Sequence, residues 1–229
     1  MSKDDFVFAA PEQVSAPVAG GGRFPVRRIF CIGRNYADHV REMGGDPKAH
    51  PPVFFTKPAD ALVHDGATIP YAQATENLHY EGELVVALKA GGKNLTPKAA
   101  DGVIFGYAAG CDLTRRDHQA KAKDAGAPWD TAKGFDHSAP VGPILRKEKA
   151  DLAGARLILA VNGEKRQDAA LMSMIWTVEE IIAALSGMFE LKAGDLIFTG
   201  TPEGVGALKP GDKVSVAIGP LSLSFGIAK

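Results

Sequence analysis

Cysteine is scarce in this chain: 229 residues carry two, Cys31 and Cys111. Each adjoins an apolar run, so both read as small buried core residues rather than redox or metal groups. Two cysteines make a poor disulfide framework, which favours a reducing compartment. Charge of one sign is also missing. The formal net charge of −1 gives no electrostatic case for nucleic acid or an anionic membrane surface. No apolar run nears the roughly 20 residues of a membrane span. Met1-Ser2-Lys3-Asp4-Asp5 lacks the basic and apolar regions of a signal peptide. The expectation is a soluble cytoplasmic protein. What is present is a 45% hydrophobic, 23% charged composition able to bury a sizeable core. The 26 glycines and 15 prolines point to many turns, as in β-rich folds.

Residues 1–25 read as an N-terminal extension, with a short strand at Phe6-Val7-Phe8 and a turn-rich connection ending at Gly20-Gly21-Gly22. A dense globular unit follows over 26–229. Strands are expected at 27–32, 53–56, 78–88, 103–111, 157–161 and 195–199, and two more around Gly219-Pro220. Asn162-Gly163 between apolar residues is a hairpin signal. Helices are expected at 37–43, from Thr114 as N-cap through Ala125, and from the capping box Thr177-Val178-Glu179-Glu180 through Met188. Residues 126–143 read as loop. The order is not a regular β-α alternation, so the class is α+β and β-rich, not a doubly wound parallel sheet.

The chemistry centres on Glu81 and Glu83. Residues i and i+2 of a strand share a face and stand roughly 6.6 Å apart along it, so both carboxylates can converge on one ion. Two like charges side by side are unfavourable unless a cation holds them, and oxygen-only ligands favour a hard ion such as Mg²⁺, Mn²⁺ or Ca²⁺. His79 lies on the same face, but i and i+4 are about 13 Å apart, too far to grip one ion easily. A third ligand must come from another element. Asp112, at the end of an apolar run, is the best candidate; a turn or helix-start aspartate is the competing reading. His39 and Glu42, three apart on a short helix, can form a dyad in which the carboxylate orients the imidazole to take a proton from water. The bland alternative is a surface pair. Lys133, Arg34, Arg116 and Gln119 are polar groups able to bind carboxylates or steady an enolate. The glycine-rich turn Gly200-Thr201-Pro202-Glu203-Gly204-Val205-Gly206 lacks P-loop and dinucleotide spacing, and suits a close backbone approach to a small ligand.

Five motifs in order, Gly33-Arg34-Asn35-Tyr36-Ala37-Asp38-His39, His79-Tyr80-Glu81-Gly82-Glu83, Asp112-Leu113-Thr114-Arg115-Arg116-Asp117, Lys133-Gly134-Phe135-Asp136 and Thr199-Gly200-Thr201-Pro202-Glu203-Gly204-Val205-Gly206, make the chain from residue 26 onward resemble the fumarylacetoacetate hydrolase family, and within it the short acylpyruvase-like members. The resemblance implies a mixed β-roll or β-sandwich of that family's C-terminal-domain type, usually a homodimer. It implies Mg²⁺ or Mn²⁺ held by Glu81, Glu83 and Asp112, His39 and Glu42 as the dyad, Lys133 as a catalytic residue, and Arg34, Arg116, Gln119 and Thr201 contacting a small 2,4-dioxo acid. The implied reaction is hydrolysis of the C3–C4 bond of an acylpyruvate, with fumarylpyruvate favoured and aromatic catabolism as its setting. The competing enzyme readings are decarboxylation of oxaloacetate or of a ring-cleavage dioxo acid, and keto-enol isomerisation, because each passes through a related enolate. A non-catalytic carboxylate-binding protein with a vestigial metal site is the remaining alternative.

Overall fold

The computed structural model describes residues 6–36 and 51–229. In chain order the strands are β1 (Ser15–Pro17), β2 (Arg23–Pro25), β3 (Arg28–Gly33), β4 (Val53–Lys57), β5 (Leu62–His64), β6 (Thr68–Ile69), β7 (Leu78–Tyr80), β8 (Gly82–Leu88), β9 (Ile104–Cys111), β10 (Thr114–Arg115), β11 (Ala139–Val141), β12 (Leu145–Arg146), β13 (Arg156–Val161), β14 (Glu164–Ala170), β15 (Asp195–Phe198), β16 (Gly206–Ala207), β17 (Lys213–Ile218) and β18 (Leu221–Ile227). Helices span Pro97–Val103, Arg116–Asp124, Asp130–Lys133 and Val178–Met188. None of the described helices is long and apolar enough to cross a membrane.

The central sheet runs β4-β3-β15-β8-β9-β11-β5, with β12 also paired to β9. It is mixed: β15 is parallel to β3 and β11 to β5, while β8 is antiparallel to both β15 and β9. A second sheet, β14-β13-β17-β18-β6, packs on it, and a small sheet β10-β7-β16 lies beside them. This is the β-rich α+β architecture expected for the family, with two sheets sharing one core. Along β3 and β8, Phe30, Ile32, Leu84, Val86 and Leu88 face the core shared with the second sheet and the helix Val178–Met188. Their alternates Ile29, Cys31, Val85 and Ala87 face a second apolar cluster. Strands buried on both faces need continuous apolar runs, which is why these segments do not alternate with polar residues. The Val, Leu, Ile and Phe side chains among them each contribute roughly 1.5–3 kcal/mol on leaving water. Both cysteines are buried and unpaired.

Several local expectations hold. Asn162 and Gly163 take positive φ between β13 and β14. Thr177 and Glu180 form the reciprocal capping box. Strands β17 and β18 form the closing hairpin.

Others are corrected. Phe6, Val7 and Phe8 are exposed and form no strand among the described residues. Residues 15–25 form the β1–β2 hairpin instead, whose Ala16 and Phe24 enter the second cluster. The segment 78–88 is two strands in two sheets, broken at Glu81. Thr114 is not a helix N-cap: it lies in β10, and the helix begins at Arg116 without a side-chain cap. Residues 126–143 contain the helix Asp130–Lys133 and strand β11. The expected helix at 37–43 lies outside the described residues.

Candidate active site

The break at Glu81 builds the site. β7 pairs with β10 and β16, whereas β8 belongs to the central sheet, so the chain changes sheets between the two glutamates. Gly82 sits at that change because a Cβ there would press to 3.0 Å from Leu159 and 3.1 Å from Gln167. The β8–β9 register sets Gly82 opposite Cys111. Asp112, one residue further, donates its backbone N–H to the Glu81 carbonyl at 2.8 Å. Carboxylate oxygens of Glu81, Glu83 and Asp112 therefore lie within 4.8 Å of one another, all buried. The expectation that a neighbouring strand brings Asp112 to the glutamates describes what the register does.

Cations surround two of the three. Lys133 Nζ lies 2.7 Å from Glu81 Oε2, from Asp112 Oδ2 and from the hydroxyl oxygen of Thr114. Arg116 pairs with Glu81 Oε1 at 2.5 Å and donates to Gln119 and, at 3.3 Å, to His79 Nδ1. Lys57, which no sequence motif singled out, is 2% exposed. Its Nζ forms an ion pair with Asp112 Oδ1 at 2.8 Å and donates to the carbonyls of Leu113 and Lys133. Burial alone would raise the Glu81 pKa, but the charges of Lys133 and Arg116 and their hydrogen bonds outweigh it and bring it to about 2. Burial opposes the Lys133 charge, yet Asp112 and Glu81 raise its pKa above lysine's usual value. His79 is drawn down to about 4 by burial and by Arg116. Its ring accepts from Arg116 and meets Asn77 Oδ1 at 2.9 Å, the arrangement of a neutral imidazole that positions the arginine rather than a ligand.

Glu83 is different. It is 1% exposed, accepts the Gly200 N–H at 2.7 Å, and among the described residues has no ion-pair partner. Burial first, then Asp112 and Glu81, push its pKa well above the carboxylate range. An unpaired buried carboxylate beside two others is a group in want of a cation. A hard divalent ion would suit this all-oxygen donor set, and Glu81, Glu83 and Asp112 are the residues that could hold it. Gly200 takes φ +93°, and a Cβ there would meet the Asn35 Cβ at 2.7 Å, so only glycine brings its N–H so close to Glu83. Asn35 is fully buried, and its side chain bonds Thr199 O at 2.7 Å and the Trp176 backbone at 2.7 and 3.1 Å, fixing that turn.

These groups open on a cavity of about 220 Å³ whose lining includes Arg34, Glu81, Glu83, Arg116, Gln119, Lys133 and Thr201. Sequence reasoning missed Phe55, Lys123 and Trp129 in its wall, and Gln167 behind it. The Gln167 side chain accepts from the Gly82 N–H at 2.9 Å and donates to Thr201 Oγ1 at 2.9 Å, tying the glutamate pair to the glycine-rich turn. His39 and Glu42 lie outside the described residues.

A strand-rich fold that changes sheets at a buried three-carboxylate cluster, with lysine and arginine against it, defines a class of acid-lined metal enzymes. The model of the fumarylacetoacetate (FAA) hydrolase C-terminal family matches residues 28–227, and the chain belongs to that family. It is 42% identical to a fumarylpyruvate hydrolase of Ralstonia sp over 80% of this chain and 97% of that one. It is also 42% identical to the mitochondrial oxaloacetate tautomerase FAHD1 of Rattus norvegicus, over 89% of this chain and 92% of that one. The crystal structure of fumarylpyruvate hydrolase from Pseudomonas aeruginosa, in complex with Mn²⁺ and pyruvate, superimposes with a TM-score of 0.91 at 45% identity, covering 98% of this chain and 99% of that one.

Proposed function

We propose that the protein is a Mg²⁺- or Mn²⁺-dependent C–C hydrolase that cleaves fumarylpyruvate to fumarate and pyruvate. The observation that carries this reading is the convergence of Glu81, Glu83, Asp112 and Lys133 on one cavity. It is supported by 45% identity to a fumarylpyruvate hydrolase whose structure holds Mn²⁺ and pyruvate. When bound, the ion supplies Lewis acidity at the 2-oxo acid end of the substrate. His39, oriented by Glu42, takes a proton from water, whose oxygen bonds to C4. The C3–C4 bond breaks and its electron pair remains on pyruvate as the enolate, which Lys133 stabilises as charge develops. The proton held by His39 then passes to C3. Arg116 and Gln119 orient the substrate carboxylate, and Arg34 and Thr201 border the same cavity.

A second reading, keto-enol tautomerisation of oxaloacetate, is favoured by the 42% identity to the rat enzyme. It needs enolate stabilisation but no attacking water. One experiment separates them: follow ultraviolet loss of fumarylpyruvate and interconversion of oxaloacetate tautomers, with wild type and Glu42→Gln, with and without Mn²⁺. Metal-dependent release of fumarate and pyruvate that Glu42→Gln abolishes supports the hydrolase. Tautomer exchange without cleavage makes the protein an isomerase, and CO₂ release from oxaloacetate makes it a lyase. We further propose a cytoplasmic homodimer serving aromatic catabolism. Met172, 87% exposed beside a groove lined by Leu152, Leu171 and Met174, supports a covered face, and sedimentation tests it.

A further inference from the structure

Two exposed cations line the cavity beside the buried carboxylates. Of the cations in the wall, Arg116 and Lys133 are committed to Glu81, and Lys133 also to Asp112. Arg34 and Lys123 have no acidic partner among the described residues, although both line the same cavity. Their positions are built. Arg34 holds φ +61°, a conformation side-chain-bearing residues rarely adopt. The residue that follows, buried Asn35, is anchored by the three side-chain bonds described above. Lys123 stands near the end of the helix Arg116–Asp124, its ammonium 5.3 Å from the centre of the Trp129 ring. That ring leans on Phe55, with centroids 5.9 Å apart, and lies against Gly33. Burial, then Arg34 and Arg116, lower the Lys123 pKa, so these cations stand close enough to repel one another.

We propose that Lys123, seated on Trp129 with Arg34 beside it, binds the far carboxylate of a dicarboxylic 2,4-dioxo acid and selects such diacids over neutral acylpyruvates. The inference rests on the hydrolase reading for the identity of the substrate. It goes beyond that reading in assigning the selectivity for a second negative charge to a particular side chain. Two unpaired cations next to an aromatic wall suit an unsaturated chain ending in a carboxylate: the rings pack on the chain and the cations take its terminal charge. A neutral acyl group offers neither cation a partner.

The test has a binding arm and a turnover arm. In the first, Mn²⁺-loaded wild type, Lys123→Met and Lys123→Arg are titrated calorimetrically with 2-oxoheptanedioate and 2-oxoheptanoate. These acids match the length of fumarylpyruvate, lack its C4 carbonyl, and differ in the far carboxylate alone. Wild type is expected to prefer the diacid by about tenfold, the scale of one charge-assisted hydrogen bond. Lys123→Met loses that preference and Lys123→Arg keeps it. In the second arm, the ratio of kcat/KM for fumarylpyruvate to that for acetylpyruvate falls about tenfold in Lys123→Met, through KM. Because each comparison is a ratio within one protein, a general loss of fold does not imitate it. A wild type without preference, or a Lys123→Met that retains it, overturns the proposal. A diacid preference that depends on Lys123 in a protein cleaving neither dioxo acid leaves this site standing and refutes the hydrolase reading.

Discussion

Replacing Glu83 by glutamine should have opposite consequences with and without metal. The carboxylate is 1% exposed, accepts one backbone N–H, and pairs with no cation among the described residues. Metal-free wild type therefore carries an uncompensated acid that glutamine removes while keeping an oxygen for the Gly200 N–H. The stability gained should be roughly 1–3 kcal/mol, the scale for a buried group left unpaired. For a domain of this size each kcal/mol moves Tm by about 2–4 °C. The sign with pH follows from the raised pKa of Glu83. A folded-state pKa above the unfolded value stabilises the fold below the usual carboxylate range and loses that contribution as pH rises through the folded value. The advantage of metal-free Glu83→Gln over metal-free wild type should therefore grow as pH is raised from 5 toward 8.

Adding Mn²⁺ reverses the order. At a hundredfold excess over Kd, binding to the folded state alone adds about 2.7 kcal/mol. That corresponds to a Tm rise of about 5–11 °C in wild type at 2–4 °C per kcal/mol. Glu83→Gln, with one of the three proposed anionic ligands neutralised, should show little of it. The assay is differential scanning calorimetry of chelator-treated protein, then of the same samples with Mn²⁺. A variant less stable than wild type when both are metal-free, or one that keeps the full metal-dependent rise, would refute the reasoning.

Three further outcomes are expected. Lys57→Met strands Asp112 Oδ1 without its buried partner and should cost about 3 kcal/mol in urea unfolding of the metal-free protein, since breaking a buried pair costs more than the pair contributes. Gly200→Ala combines φ +93° with a Cβ contact at 2.7 Å to Asn35; it should lower stability by more than the roughly 1 kcal/mol of a compatible glycine change and weaken Mn²⁺ binding measured by calorimetry. Glu81, held at about 2 against an ordinary 4.5, stabilises the fold above the ordinary value. That contribution should disappear as pH falls from about 4.5 toward 2, read as a fall in urea midpoint that Glu81→Gln does not show.

The parts of the site that sequence exposes are those whose chemistry is dense in a short span. Glu81 and Glu83 are two apart, so strand geometry alone puts them together, even though the strand breaks at Glu81. Asp112 was legible because an apolar run ends at it, and an antiparallel register delivered it. Thr114 was misread for a related reason. A threonine before a polar helix has the composition of an N-cap, and nothing local says that its hydroxyl faces Lys133 instead.

Lys57 and Gln167 were not legible at all. Lys57 closes strand β4 just before Pro58, where a lysine is normally solvated; its burial follows from Asp112 and the Lys133 carbonyl arriving 55 and 76 positions later. Gln167 lies in the polar stretch Glu164-Lys165-Arg166-Gln167-Asp168, where a bulge opposite Leu159 and Ala160 interrupts the alternation and that one side chain turns inward. The resulting balance is physical, not motif-like. Two lysines and an arginine offset the charge of Glu81 and Asp112, and leave Glu83 as the carboxylate on which a divalent ion has the most to gain. The fold thus stays tolerable without metal, while the proposed site keeps one carboxylate with no cation paired to it among the described residues. That trade depends on Lys57 as much as on the ligands, so metal affinity in this chain should respond to a residue that touches no metal.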